Sequence, residues 1–166
     1  GTMNTADRSL ALMDTALRRR FDFIEMMPDY TALTDNEGNA YSVEGVDLVK
    51  LLSTLNGRIT ALYDREHMLG HAFFIPVVTA IKAGNPQQAL TELAKCFQTK
   101  IIPLLAEYFF EDWYKIRLVL ADNQKEQMKL AQLISQKDVK YPKLFGESFD
   151  AGEFSESDFS YEIEPH

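Results

Sequence analysis

The sequence predicts a mainly α-helical fold, with a short mixed α/β stretch in front of a helical bundle and an acidic tail behind it. Three observations predict this. Leu48, Leu51, Leu52, Leu55, Ile59 and Leu62 recur at helical spacing and define an amphipathic helix over about 46–63. Turn and cap signals, Ala83-Gly84-Asn85-Pro86, Asp112 and Asn123, then divide the following residues into further helices. Only Phe21-Asp22-Phe23-Ile24-Glu25-Met26 alternates apolar and acidic residues as a strand does, and no such pattern of any length follows residue 30. The organisation that results is a mixed α/β stretch at 1–28, a helical region at 29–134 and an acidic tail at 135–166.

Taken in order, residues 1–9 read as the end of a strand and its loop, and Asp14 as the N-cap of a helix over 15–20. Pro28 closes the strand over 21–26. Residues 29–45 read as a linker with a strong turn cluster at Asp35-Asn36-Glu37-Gly38-Asn39. Gly57 costs the next helix about 1 kcal/mol relative to Ala, which predicts close packing or a kink at that point. Asp64–Phe74 interrupts the helices with two histidines, two acids, an arginine and Gly70. Helices follow over 75–82 and from Pro86, whose apolar face is Leu90, Leu93, Ala94 and Phe97. A helix over 99–110 tolerates Pro103 in its first turn. Asp112 caps 113–120, and Asn123 caps 124–134. The tail interleaves acids with Phe149, Phe154, Phe159 and Tyr161; it reads as a solvated, flexible end or as a segment that docks on a basic partner or back onto the lid.

Charge is unevenly placed along the 166 residues. The last twenty hold seven acids and no lysine or arginine, which leaves 17 basic against 18 acidic residues in the rest. No basic stripe stands out for neutralising phosphates, so DNA contact is expected through other parts of a parent protein. Neither a signal segment nor an 18-residue apolar span occurs, so no membrane partner is predicted. Cys96 is the single cysteine, which excludes a disulfide framework and fits a cytoplasmic setting.

The chemistry-bearing residues gather at the front. Asn4, Asp7 and Arg8 fall within five residues, and Arg18-Arg19-Arg20 ends the first helical run. Phosphoryl transfer needs such parts: an amide to hold a water or phosphate oxygen, and cations to take up developing charge. The same residues also read as a polar turn and a helix whose last-turn arginines offset the macrodipole. No G-x-x-x-x-G-K-[ST] occurs, so a phosphate-cradling loop is missing. Tyr108-Phe109-Phe110-Glu111-Asp112 imitates an acidic strand end, but its apolar residues follow helical spacing. His67 and His71 are four apart, as metal ligands on one helix face can be, yet Gly70 intervenes and no H-E-x-x-H is present; no metal site is predicted.

Three stretches carry a family resemblance. Met3-Asn4-Thr5-Ala6-Asp7-Arg8-Ser9 with Ala16-Leu17-Arg18-Arg19-Arg20-Phe21, then Asp64–Phe74, and Ile101–Phe110 together resemble the McrB family, the AAA+ GTPase subunits of modification-dependent (5-methylcytosine) restriction systems. The resemblance runs with gaps from Gly1 to about Leu120. It implies that 1–28 is the C-terminal remnant of a nucleotide-binding α/β subdomain, with a sensor-1 loop and an arginine-finger helix, and that 29–134 is the helical lid. It implies catalytic roles for Asn4 and Asp7 in their own site, and for Arg19 and Arg20 as fingers in a neighbour's site. Arg18 reads either as a further finger or as a salt-bridged residue. Arg8 would couple the signature loop to a partner, and Gly70 and His71 would be lid contacts to nucleotide, although His71 reads equally as a structural histidine of the loop. GTP and Mg²⁺ are implied for the full-length parent, with none tightly bound to this chain, which should be inactive alone. A homo-oligomeric ring, expected as a hexamer, and a McrC-type nuclease subunit are the implied partners, in a bacterial cytoplasm. The competing readings are an AAA+ ATPase remodeller of another clade and a non-catalytic helical interaction module.

Overall fold

The computed structural model describes residues 19–20, 22, 24–146 and 157–164. The described part is mainly helical, as expected. Two compact units divide between Tyr108 and Phe109.

In the first unit, the strand expected over 21–26 does not form among the described residues; 24–29 run without regular structure, and Phe21 and Phe23 lie outside the described residues. Ile24 and Met26 are 88% and 84% exposed, since no described strand lies alongside to pair with them. The stretch read as a linker is instead folded. The Asp29 carboxylate accepts the N–H and hydroxyl of Thr31 and caps a 3-10 turn, Tyr30–Leu33, which buries Leu33 completely. Asp35 accepts the N–H groups of Glu37 and Asn39, and Gly38 supplies the left-handed residue of that turn. Strands β1 (Ser42–Val43) and β2 (Val46–Asp47) pair across Glu44-Gly45. Both turn residues have positive φ, the geometry that matches hairpin twist.

Helix α1 (Leu48–Leu62) starts where Asp47 accepts the N–H of Lys50 at 2.9 Å. It buries Leu48, Leu52, Leu55, Asn56 and Ile59. The close approach expected at Gly57 is absent, because an added Cβ would meet no atom within 4 Å. Gly57→Ala should therefore stabilise the protein by about 1 kcal/mol, seen as a higher urea midpoint at unchanged slope.

Helices α2 (Ile75–Lys82) and α3 (Pro86–Cys96) pack on one another, the second capped by Asn85 at the expected place. The helix expected to begin at residue 99 is continuous with α3. A wide π turn, Phe97–Ile101, joins α3 to α4 (Ile102–Tyr108), and the N–H of Ile102 reaches back to the carbonyl of Phe97. Pro103 gives the reason: it cannot donate to the Thr99 carbonyl, and its ring crowds that group, so the turn opens. Cys96 donates to the Phe73 carbonyl at 3.2 Å, and burial pushes its thiol up to about 11, which keeps it inert.

The second unit opens with α5 (Trp113–Leu120), capped by Asp112 as expected, through the N–H of Lys115 at 3.1 Å. The next helix departs from expectation. Asn123 is no cap: α6 (Asp122–Gln127) begins after Ala121, whose φ is +61°, and ends well before residue 134. The chain turns back because the fully buried Asp122 carboxylate accepts the N–H groups of Leu133 (3.0 Å) and Ile134 (2.8 Å) and pairs with Lys125 (2.8 Å). The buried Arg117 donates to Glu126, Gln132 and Gln136.

Strands also form where none was expected. β3 (Ile134–Lys140) pairs antiparallel with β4 (Ser157–Ile163), from Ile134↔Ile163 to Lys140↔Ser157, with α7 (Tyr141–Phe145) after β3. The register places Phe159, Tyr161 and Ile163 on one face and Ser160 and Glu162 on the other. Lys137 and Glu162 form an ion pair that raises the lysine pKa. The intervening residues, 147–156, lie outside the described residues. No helix among the described residues is long and apolar enough to cross a membrane.

Candidate functional site

The loop between α1 and α2 carries Asp64, Arg65, His67 and His71. Its first turn is built on Asp64, which accepts the N–H groups of Glu66 (2.8 Å) and His67 (3.1 Å) and lies 2.6 Å from Nδ1 of His67. Partial burial pushes the Asp64 carboxyl upward, but the bonds and charge of His67 together hold it below its ordinary value. The His67 ring stands edge-on to Tyr63 and Tyr108, at 4.3 and 4.7 Å between centroids. Burial, with the charges of Glu107 and Asp64, raises the Tyr108 phenol.

The loop's far side is fixed by Asn56, a residue that the sequence reading missed. Its amide is buried, donating to the Leu69 carbonyl at 3.0 Å and accepting the Leu69 N–H at 2.7 Å. A side chain thus pairs with backbone as a neighbouring strand would. The signal was present: a lone asparagine next to Leu55 on the buried stripe of α1 must find partners off its own helix. Asn56→Ala should lower stability by about 2–4 kcal/mol, because both Leu69 backbone groups lose their buried partners. Thermal or urea unfolding measures the loss.

Gly70 and His71, the expected lid contacts, follow directly. Gly70 has φ −76° and ψ 154°, and an added Cβ would come no closer than 4.0 Å to the Ala72 nitrogen, so neither backbone nor space demands glycine there. Nδ1 of His71 accepts the backbone N–H of Asp29 at 3.1 Å. An accepting Nδ1 leaves the ring proton of the neutral imidazole on Nε2. Nη2 of Arg65 lies 3.0 Å from both Glu25 carboxylate oxygens and 3.5 Å from Sδ of Met27. His67 and His71 therefore turn to different partners, Asp64 and Asp29. No group of three His, Cys, Asp or Glu suited to a metal ion occurs among the described residues.

Arg19 and Arg20 are exposed, in a turn. Asn4, Asp7 and Arg8 lie outside the described residues, as do Asp14 and the helix expected from residue 15 up to Arg18.

Four carboxylates of the described residues, Asp29, Asp35, Asp64 and Asp112, sit below the ordinary value of 3.8. A depressed folded pKa means that the unfolded chain takes up protons first as pH falls. Their contribution is full above about pH 5 and is lost as pH falls through 3.8 toward the folded values. The urea midpoint should fall between pH 5 and pH 3 and stay level between pH 5 and pH 7 with respect to these groups.

Comparison with known proteins places this architecture. Residues 47–117 match the family model of the McrB α-helical lid domain. The Type IV methyl-directed restriction enzyme EcoKMcrB subunit of Escherichia coli (strain K12) is 36% identical over 126 residues. That match covers 69% of this chain and 26% of the relative, so the chain spans about a quarter of the curated protein it resembles. Through residues 47–117, the chain therefore belongs to the McrB family, of which they form the α-helical lid domain.

Proposed function

We propose that this chain is the lid-bearing part of an AAA+ motor that hydrolyses GTP to drive a restriction endonuclease against modified DNA. The observation that carries the reading is the family match itself, a lid over 47–117 together with 36% identity over 126 residues to a methyl-directed restriction subunit. GTP and Mg²⁺ would be gripped by a phosphate loop and acidic strand end that this sequence does not contain. Asn4 and Asp7 would orient water and γ-phosphate, Arg19 and Arg20 would reach a neighbouring protomer's site, and Arg8 would answer to a partner. A ring of like subunits and a McrC-type nuclease complete the reading, with DNA held mainly by other parts, in the bacterial cytoplasm.

The test is turnover. Joined to a nucleotide-binding half, the protein should hydrolyse GTP in preference to ATP and respond to the nuclease subunit. Residues 1–166 alone should hydrolyse neither nucleotide. Turnover by 1–166 that disappears in Asn4→Ala would overturn the reading. An assembled protein that prefers ATP would favour the remodeller.

A further inference from the structure

We propose that Arg65 and His71 form a latch that holds residues 25–29 against the lid loop, with His71 acting through Nδ1 as a positioning residue. Residues 24–29 have no strand partner among the described residues, and the exposure of Ile24 and Met26 means that burial of these side chains does not hold them down. What ties them is polar and comes from one loop. Arg65 grips Glu25 and touches Met27 at one end, and His71 accepts the N–H of Asp29 at the other. The Asp29 carboxylate is meanwhile committed to Thr31, so this residue is fixed on both of its sides.

The loop itself is a firm base. Leu69, between the two latch residues, is buried and doubly bonded to Asn56 of α1. The latch is weak by comparison, since Arg65 and Glu25 are both more than half exposed and such pairs contribute little. A tie of that strength can release and reclose without unfolding the lid. Arg20 lies only five residues before Glu25. On the motor reading, from which this consequence alone follows, the latch sets where the lid presents Arg20 to a neighbour.

The latch uses only one of the two nitrogens of His71, and substitution can tell which. Asparagine places an acceptor oxygen near the position of Nδ1, whereas glutamine places its amide near Nε2. Amide exchange at Asp29, read by NMR in the 1–166 chain without nucleotide, should rise about tenfold in His71→Ala. It should return close to the wild-type rate in His71→Asn and stay fast in His71→Gln, with the amides of α1 unchanged throughout. Arg65→Ala should raise the fast backbone mobility of residues 25–27 and leave α1 rigid, which tests the other end even if a His71 variant folds poorly. Equal Asp29 exchange in wild type and His71→Ala, or rescue by glutamine and not asparagine, would overturn the latch. Because no nucleotide is present, a failure to hydrolyse GTP would count against the motor reading and leave the latch standing.

Discussion

On the proposed motor reading, Arg20→Ala, in a protein that joins this segment to a nucleotide-binding half, is expected to lower GTP turnover by ~10³–10⁵ while leaving nucleotide binding nearly intact. The factor is that of arginine fingers supplied from a neighbour, roughly 4–7 kcal/mol of barrier. A guanidinium bridges phosphate oxygens through planar, paired donors, so Arg20→Lys should recover little. Arg20 is exposed in a turn. Complementation decides between a trans and a cis role. Mixed with a variant lacking only the phosphate-loop lysine, Arg20→Ala should regain part of its activity, because some interfaces then contain one intact site. A mixture that co-assembles and stays inactive would assign the arginine to its own protomer or to the fold.

Asp122→Ala should unfold or loosen the second unit, with a loss of about 3–5 kcal/mol. The carboxylate is fully buried and joins three donors: the N–H groups of Leu133 and Ile134 and the ammonium of Lys125. Truncation leaves two backbone donors and a partly buried cation without their partner, at the point where β3 begins. Asp122→Asn keeps an acceptor oxygen and should lose less. Exchange across β3 and β4 is the sensitive readout, and it should quicken in Asp122→Ala while α1 keeps its protection. Unchanged exchange across the hairpin would mean that β3–β4 pairing holds the strand without the carboxylate.

The sequence by itself determined the elements whose cause is local. Asp112 and Asn85 cap their helices because a short acceptor side chain reaches the N–H three residues on, whatever surrounds it. The leucine stripe of α1 is likewise written in helical period, and the motif stretches were enough to indicate the McrB lid. Tertiary structure decided where distant groups meet. Asn56 reads as an ordinary helix residue until Leu69 is brought beside it, and the sequence does not show that Nδ1 of His71 meets the N–H of Asp29. The tail shows the same division. Phe159, Tyr161 and Ile163 alternate with Ser160 and Glu162, but among so many acids that pattern becomes a strand only against β3. β3 in turn begins at Ile134 because Asp122, twelve residues earlier, holds its first N–H groups. A cap needs three residues of chain, whereas a strand needs a partner, and a partner exists only once the chain has folded back.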